Sequence, residues 1–346
     1  MGDAPAPPSG AKARALWIGR PHDRALGRIG WVEGASAGPL LLCIGGLHGN
    51  EPAGVRALEM AVPLLRSRRT RLAGDFVAVV GNVQALAARR RYLAYDLNRV
   101  WTESRIGEAV ARAEGDGRAA RRPEDHEVVR MLAVLEEVAA RARGPVHILD
   151  LHTTSSGGGA FSTSADTPRH RPFVGAIPVP MVQHLNHKLQ GTLITYLDQI
   201  GYTTAVFESG QHEEPAAVDR ALGAIWLAVR ASGLLGAADA PEATAAYRDL
   251  QDEWLHLPRV VELTYRHPIA EGDGYLTKPG LRNFQPVRAG DVIGRDRNGD
   301  VVAPRSGRIL MPLYQRLGED GFFVVNDTVG VDTEARSVGC LGAESV

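Results

Sequence analysis

The stretch PLLLCIGGLHGNEP, residues 39–52, joins a buried strand to a helix through a glycine turn. Its apolar half is short and ends at Gly45, which is typical of a strand that is buried on both faces. Two adjacent glycines let the backbone turn sharply there, and apolar residues at helical spacing follow up to about Leu65. His48 and Glu51 lie three residues apart in the turn, a spacing that lets an imidazole and a carboxylate converge on one ion.

The alternation of predicted strands and helices continues to about residue 236. Short apolar runs predict further buried strands, and apolar residues at helical spacing predict helices between them. This alternation predicts the α/β class, with a mixed, mainly parallel sheet flanked by helices. The predicted strands are Phe76–Val80, Val146–Leu151 and Thr204–Phe207, the predicted helices lie at about 123–142, 182–200 and 216–232, and an opening hairpin is predicted from Ala15–Trp17 and Ile29–Val32.

The sequence pattern changes near Arg259, where short β-prone segments are separated by Gly and Pro. No helical period appears in this part, so it predicts a smaller, all-β module. We therefore divide the chain into a disordered tail (1–14), an α/β domain (15–240) and a C-terminal β module (255–335). The alanine-rich segment at 237–246 suits a linker or a helix equally well.

A polar residue follows the last apolar residue of two more predicted strands. His152 follows the strand Val146–Leu151, and Glu208 follows Thr204–Phe207. In open α/β sheets the ligand crevice lies outside the carboxyl ends of the strands, so these residues are expected to meet there. Two histidines and one carboxylate form the ligand pattern of a catalytic zinc site. We therefore predict His48, Glu51 and His152 as ligands of one Zn²⁺ per chain.

Two other groups complete the predicted chemistry. Glu208 is not needed as a ligand, so it is predicted to be the general base for the attacking water. The stretch RYLAYDLNR, residues 91–99, supplies arginines and an asparagine suited to carboxylate binding. An arginine beside a metal can also polarise a scissile carbonyl.

Taken together, these motifs resemble the succinylglutamate desuccinylase/aspartoacylase family, a branch of the zinc carboxypeptidase-like fold. The motifs are HGNE (48–51), DLNR (96–99), DLHTT (150–154) and the strand-terminal Glu208. The resemblance spans about residues 39–330 and implies zinc-dependent hydrolysis of an N-acyl amide on a small substrate that bears a carboxylate.

The resemblance also implies roles for single residues. The zinc ligands and the catalytic Glu208 are the same as those predicted above. Arg91 matches the arginine that polarises the carbonyl, and Asn98 and Arg99 match the pair that holds the substrate carboxylate. Tyr314 is the candidate for the tyrosine that the C-terminal module sends into the site. His212, four residues past Glu208, is predicted to contact the substrate or to orient its neighbours.

One departure from the family pattern bears on the substrate. The aspartoacylase type has a second carboxylate-binding arginine about ten residues before its catalytic glutamate, whereas this chain has Asp198 there. We therefore expect a substrate with one carboxylate near the amine, and poor activity on N-acetylaspartate.

Composition excludes other classes of protein. Apolar residues make up 44% and charged residues 23% of the 346, close to a globular average. A net charge of −1 gives no argument for binding nucleic acid or an anionic membrane. With two cysteines, no apolar signal segment and no apolar run of about 20 residues, the chain is predicted to be cytoplasmic. A homodimer is the default oligomer.

Other interpretations compete with the predicted deacylase. Within hydrolases they are a zinc carboxypeptidase acting on peptides, or an esterase or lactam hydrolase with the same groups. The competing interpretation that is not an enzyme is a metal-binding carboxylate sensor, which would have no need of the base Glu208. For single residues, Arg99 could be a structural partner of Asp96, and Arg91 could belong to a solvated basic face.

Overall fold

A computed structural model describes residues 26–115, 122–165, 167–270 and 272–328. The predicted tail (1–14) and the Ala15–Trp17 half of the predicted hairpin lie outside these ranges. In the ranges that are described, no helix is long and apolar enough to cross a bilayer.

The first seven strands build the α/β part of the molecule. They are β1 (Arg28–Glu33), β2 (Ser36–Gly45), β3 (Ala73–Val80), β4 (Val146–Thr154), β5 (Phe161–Thr163), β6 (Met181–Gln183) and β7 (Thr203–Gln211). Strands β3, β2, β4 and β7 are parallel neighbours in that order, while β1 and β5 run antiparallel to their neighbours β3 and β7. The prediction of a mixed, mainly parallel sheet is confirmed for this part.

Helices cover both faces of this sheet. They are α1 (Ala53–Ser67), α2 (Val83–Ala88), α3 (Glu103–Glu114), α4 (Pro123–Arg141), α5 (Arg171–Val174), α6 (Leu185–Lys188), α7 (Leu193–Gln199), α8 (Ala216–Ala231) and α9 (Pro241–Trp254), with 3₁₀ turns at Arg69–Arg71, Leu97–Arg99 and Ala237–Asp239. The helices predicted at 123–142 and 216–232 are confirmed. Of the two interpretations of residues 237–246, the helical one is correct.

Strand β2 shows why a continuous apolar run folds as a central strand. Successive side chains of a strand point to opposite faces. Leu41 and Cys43 enter the apolar core that contains α1 and α8, while Leu40 and Leu42 enter the core on the other face with α4 and α7. Each face of β2 is therefore buried, as the sequence predicted.

The prediction of one helix over 182–200 is wrong. Val182 belongs to β6, which pairs with β5 and β8, so sheet hydrogen bonds replace helical ones there. The chain turns again at Gly191, where φ is +66° and a Cβ atom would lie 2.4 Å from the carbonyl oxygen of Arg99. Helix α7 begins only after this close contact, with Thr192 as its N-cap.

The C-terminal part continues the same sheet. Its strands are β8 (Val260–Pro268), β9 (Leu276–Thr277), β10 (Pro286–Val287), β11 (Val292–Asp296), β12 (Gly299–Val302), β13 (Gly307–Leu310) and β14 (Asp320–Asp327). In the described residues, the sheet has eleven strands in the order β1-β3-β2-β4-β7-β5-β6-β8-β14-β13-β10, and β12-β11-β9 form a separate small sheet. The parallel pairing of β6 with β8 is the join between the two parts.

The turn after β2 is packed too tightly for a side chain at Gly49. A Cβ atom there would lie 2.0 Å from the carbonyl carbon of Ala85. We expect Gly49→Ala to lower the free energy of unfolding by about 1–3 kcal/mol, as overpacking does, and thermal unfolding followed by circular dichroism measures this.

Gly107→Ala is the matched control, because Gly107 lies in helix α3 with nothing within 4 Å of its Cβ position. This variant should unfold at the wild-type temperature or slightly above it, since alanine favours helix. Equal unfolding temperatures for Gly49→Ala and the wild type would contradict the expected overpacking.

Candidate active site

Three neighbouring strand ends build the candidate site. Strands β2, β4 and β7 are adjacent and parallel, so their carboxyl ends meet at one edge of the sheet. The turn after β2 carries His48 and Glu51, β4 carries His152 near its end, and β7 carries Glu208. His152 and Glu208 are register partners across β4 and β7.

His48, Glu51 and His152 form a compact, buried triangle. Glu51 lies between the rings, with Oε1 2.8 Å from His48 Nδ1 and Oε2 3.0 Å from His152 Nδ1. The backbone N–H of Thr153 also donates to Glu51 Oε2. One possible ligand atom from each of the three residues lies within 4.8 Å of the other two, so the group could hold a metal ion.

Two further carboxylates fix the orientation of the histidine rings. Asp96 Oδ1 lies 3.2 Å from His48 Nε2, and Asp150 Oδ2 lies 3.0 Å from His152 Nε2. An ionised carboxylate can only accept, so each Nε2 carries the proton that it donates. This arrangement is the usual outer support of histidine ligands, and it leaves each Nδ1 for the triangle.

The donor set fits a cation. A neutral ring whose proton is on Nε2 presents a lone pair at Nδ1, which would face a carboxylate oxygen of Glu51. Two acceptors at 2.8–3.0 Å repel each other unless a proton or a metal ion lies between them. The neighbouring carboxylates also favour positive charge at this place. Burial alone would lower the pKa of His152, yet Asp150 and Glu51 hold it well above its usual value.

Glu208 has the properties of a proton carrier. Its Oε2 atom is buried without a hydrogen-bond partner. Burial raises the pKa of Glu208 to about 8, opposed by His152 and helped by the nearby carboxylates of Glu51 and Asp150. A carboxyl group that titrates near neutral pH can both take and return a proton under working conditions.

Arg91 lies in the site and not on a solvated face. Its guanidinium donates to Asp96 Oδ2 from Nη2 at 2.9 Å, and Nη1 lies 3.7 Å from Glu51 Oε1. Asp96 therefore connects His48 and Arg91. Burial alone would raise the pKa of Asp96, but Arg91 and His48 hold it well below its usual range.

Asn98 and Arg99 line the same cleft, and both have protein partners. Asn98 Oδ1 accepts from the Leu193 N–H at 2.9 Å. Arg99 donates to the Asn98 carbonyl at 2.9 Å and pairs with Asp320 Oδ2 at 3.3 Å. The alternative of an Arg99–Asp96 pair is therefore replaced by a pair with Asp320, at the start of β14.

The structure brings His212 into the cleft but not Tyr314. The Tyr314 hydroxyl donates to the Lys278 carbonyl at 2.7 Å and accepts from the Leu281 N–H at 2.8 Å, which holds the ring away from the cleft. Its neighbour Gln315 lines the cleft instead. The expectation that Tyr314 enters the site is corrected in this respect.

Gln315 and His212 belong to one hydrogen-bonded network. Gln315 Oε1 accepts from Asn50 Nδ2 at 2.8 Å and lies 3.2 Å from His212 Nε2. His212 Nδ1 lies 2.7 Å from Thr153 Oγ1. Burial lowers the pKa of His212, so a neutral ring fits, with Nε2 donating to Gln315 and Nδ1 accepting from the Thr153 hydroxyl.

Several residues that line the cleft, or that hold its side chains in place, were not identified from the sequence. Asp150 had a usable signal, because it precedes His152 by two positions and therefore shares its face of the strand. The cleft residues of the C-terminal part had no such sequence signal, since only the fold brings them to the strand ends. The residues that sequence reasoning missed are Asn50, Asp96, Asp150, Gln315, Glu319 and Asp320.

The fold and the site define the class as a mixed α/β protein with a candidate metal centre at the edge of its sheet. The profile of the succinylglutamate desuccinylase/aspartoacylase catalytic domain matches residues 37–221, more than half of the chain. The chain belongs to this family, whose members are deacylating hydrolases. The resemblance inferred from the motifs is confirmed.

Individual relatives agree with this assignment. A succinylglutamate desuccinylase from Burkholderia cenocepacia is 38% identical over 105 residues, which is 29% of this chain and 29% of that protein. The match thus spans less than a third of that relative.

Solved structures show the same fold over most of the chain. The succinylglutamate desuccinylase/aspartoacylase from Rhodobacter sphaeroides has a TM-score of 0.58 at 16% identity, over 87% of this chain and 88% of that one. The ectoine utilization protein from Ruegeria pomeroyi, in its product-bound structure, has a TM-score of 0.54 at 18% identity, over 85% and 86%.

Proposed function

We propose that this chain is a zinc-dependent deacylase that hydrolyses the amide bond of a small N-acyl compound bearing a carboxylate. The observation that carries the proposal is the pairing of the His48–Glu51–His152 triangle with Glu208 on the adjacent strand end. Three ligands and a separate carboxyl group are the parts that metal-assisted hydrolysis needs.

The proposed ligands are His48, Glu51 and His152. When bound there, Zn²⁺ would lower the pKa of a coordinated water and polarise the scissile carbonyl. Asp96 and Asp150 keep the two rings in the tautomer that leaves Nδ1 for the metal.

The proton transfers are assigned to Glu208. Its free Oε2 accepts a proton from the attacking water and then delivers it to the leaving nitrogen as the C–N bond breaks. Arg91, which Asp96 holds 3.7 Å from Glu51, stabilises the negative charge that develops on the carbonyl oxygen. Asn98 and Arg99 are proposed to bind the substrate carboxylate.

The alternatives are less well supported. Gln315 reaches the cleft from the C-terminal β module, proposed here as 255–335, and accepts a hydrogen bond there from Asn50. This favours a short substrate over the long peptide that a carboxypeptidase-type enzyme would admit. A non-catalytic sensor would need the ligands but not a buried carboxyl group that titrates near neutral pH.

We predict one Zn²⁺ per chain in protein purified without chelator. His152→Ala should lose the metal, because it removes one of three ligands. Asp150→Asn should keep the metal but bind it about 10–100-fold more weakly, as expected for the loss of an outer carboxylate. Elemental analysis gives the stoichiometry, and competition with a chromophoric chelator gives the affinity.

The control for the metal experiment is His126→Ala, because His126 is exposed on helix α4. This variant should bind zinc as the wild type does. A full equivalent of zinc on folded His152→Ala would refute the ligand assignment.

We predict that Glu208→Gln keeps zinc and fold but loses at least about a hundredfold in kcat, the loss expected when a general base is removed. Turnover is measured as released amine, on the N-acyl amino acid that the wild type hydrolyses fastest. Glu213→Gln, the same substitution at an exposed position five residues further on, should keep wild-type turnover.

Two results would contradict this assignment. Loss of zinc from Glu208→Gln would make the residue a ligand. Near-normal turnover with zinc retained would place the base elsewhere, and His212 would then be tested in the same way.

A further inference from the structure

The positive charges that line the cleft are already matched by protein carboxylates. Among the described residues that line the cleft, Arg91 and Arg99 are the arginines, and no lysine is present. Arg91 pairs with Asp96 and lies near Glu51. Arg99 Nη2 lies 3.3 Å from Asp320 Oδ2, and its Nε lies 3.6 Å from Glu319 Oε2. A substrate carboxylate at Arg99 would therefore have two protein carboxylates beside it.

A second arginine, outside the cleft lining, fixes the side chain of Asp320. Arg266 on β8 donates to Asp320 Oδ1, while Oδ2 faces Arg99. Arg266 is itself fixed, because its Nη1 donates to the Lys188 carbonyl at 3.1 Å. The side chain of Asp320 is 12% exposed, whereas that of Glu319 is 59% exposed and has room for another partner. The protein thus presents Arg99, Glu319 and Asp320 side by side in the cleft, with Arg266 pairing the Asp320 oxygen that faces away from Arg99.

Such an arrangement favours one kind of ligand over another. A second carboxylate on the substrate would meet Glu319 and Asp320, and like charges at close range repel. An ammonium group beside the carboxylate would instead find two acceptors, through charge-assisted hydrogen bonds. A ligand with adjacent opposite charges can therefore replace the protein's own Arg99–Asp320 contact without leaving a charge unpaired.

We propose that the substrate carries a free α-amino acid head group, whose carboxylate binds Arg99 with Asn98 and whose ammonium binds Glu319 and Asp320. This inference rests on the proposed function and narrows its substrate class. An amino acid acylated at its α-nitrogen has lost that ammonium. The acyl group therefore lies on a second nitrogen, at the far end of a diamino acid side chain.

The reaction on such a substrate is a simple hydrolysis. Water adds to the acyl carbon, the bond to the distal nitrogen breaks, and the products are a carboxylate and a free diamino acid. The cleft also carries apolar side chains that suit the methylene stem between the two ends, among them Leu189, Ile194 and Phe323.

Positional isomers test the head group directly. The zinc-loaded full chain is assayed with Nδ-acetylornithine, Nα-acetylornithine and N-acetylglutamate, and with the corresponding distal and α-acetyl isomers of 2,4-diaminobutyrate and lysine. For at least one chain length, the distal isomer should exceed its α isomer and N-acetylglutamate by about tenfold or more in kcat/KM, since each of those competitors lacks the charge-assisted contact of the ammonium group. Preference for α isomers or for N-acetylglutamate would overturn the inference.

Variants locate the selectivity at the acidic pair. Glu319→Gln and Asp320→Asn should raise KM for the distal isomer about 10–100-fold and leave kcat within about threefold, since the lost contact is equal in the ground and transition states. Glu319→Gln is the safer variant, because Asp320 also binds Arg266. Asp300→Asn, at an exposed ion pair of the same module, is the matched control and should leave KM unchanged.

A binding measurement separates the two proposals. Calorimetric titration with ornithine, 2,4-diaminobutyrate and lysine should detect binding of at least one to the wild type, and weaker binding to Glu319→Gln. If no acyl compound is hydrolysed but this pattern is found, the head-group inference stands and the proposed function fails. If acyl compounds are hydrolysed without preference for a distal isomer, the proposed function stands and the inference fails. Absence of binding by all three overturns the inference.

Discussion

The Glu51 carboxylate, held between the Nδ1 atoms of His48 and His152, is the constraint on which the rest of the site depends. Both rings turn the same atom towards Glu51 because Asp96 and Asp150 accept from the opposite nitrogen. The triangle can exist only with positive charge inside it, and burial keeps water from screening that need. The parallel strand ends and the tight turn after β2 are what bring these groups together.

Much of this centre could be predicted from the sequence, because it is encoded locally. The run Leu40–Ile44 is apolar on both faces, and such strands lie inside parallel sheets. His152 and Glu208 follow similar runs, so the topology of a parallel sheet places them at one edge. Family membership and fold class are confirmed, whereas the roles of single residues, the domain limits, the cytoplasmic location and the dimer stay predictions.

The remainder depends on contacts between distant parts of the chain. Arg99 and Asp320 are 221 positions apart, and no local pattern pairs them. Gln315 and Tyr314 are neighbours in sequence, yet only Gln315 reaches the cleft, because the hydroxyl of Tyr314 is bound by backbone groups of the C-terminal part. The predicted helix over 182–200 failed for a similar reason, since Gly191 lies against the backbone of Arg99 and β6 finds partners in the sheet.

The groups proposed for the reaction and those proposed to select the substrate come from different parts of the chain. The proposed metal ligands and Glu208 come from the ends of β2, β4 and β7, where a change would disturb the Glu51 triangle or Glu208, and Arg91 comes from the segment after α2. The groups that face them from the other side, Gln315, Glu319 and Asp320, come from the segment before β14 and its first residue. Because β14 is anchored by β8 and β13, this segment can change its side chains without moving the strand ends. The fold therefore allows the choice of substrate to vary while the proposed hydrolytic centre stays the same.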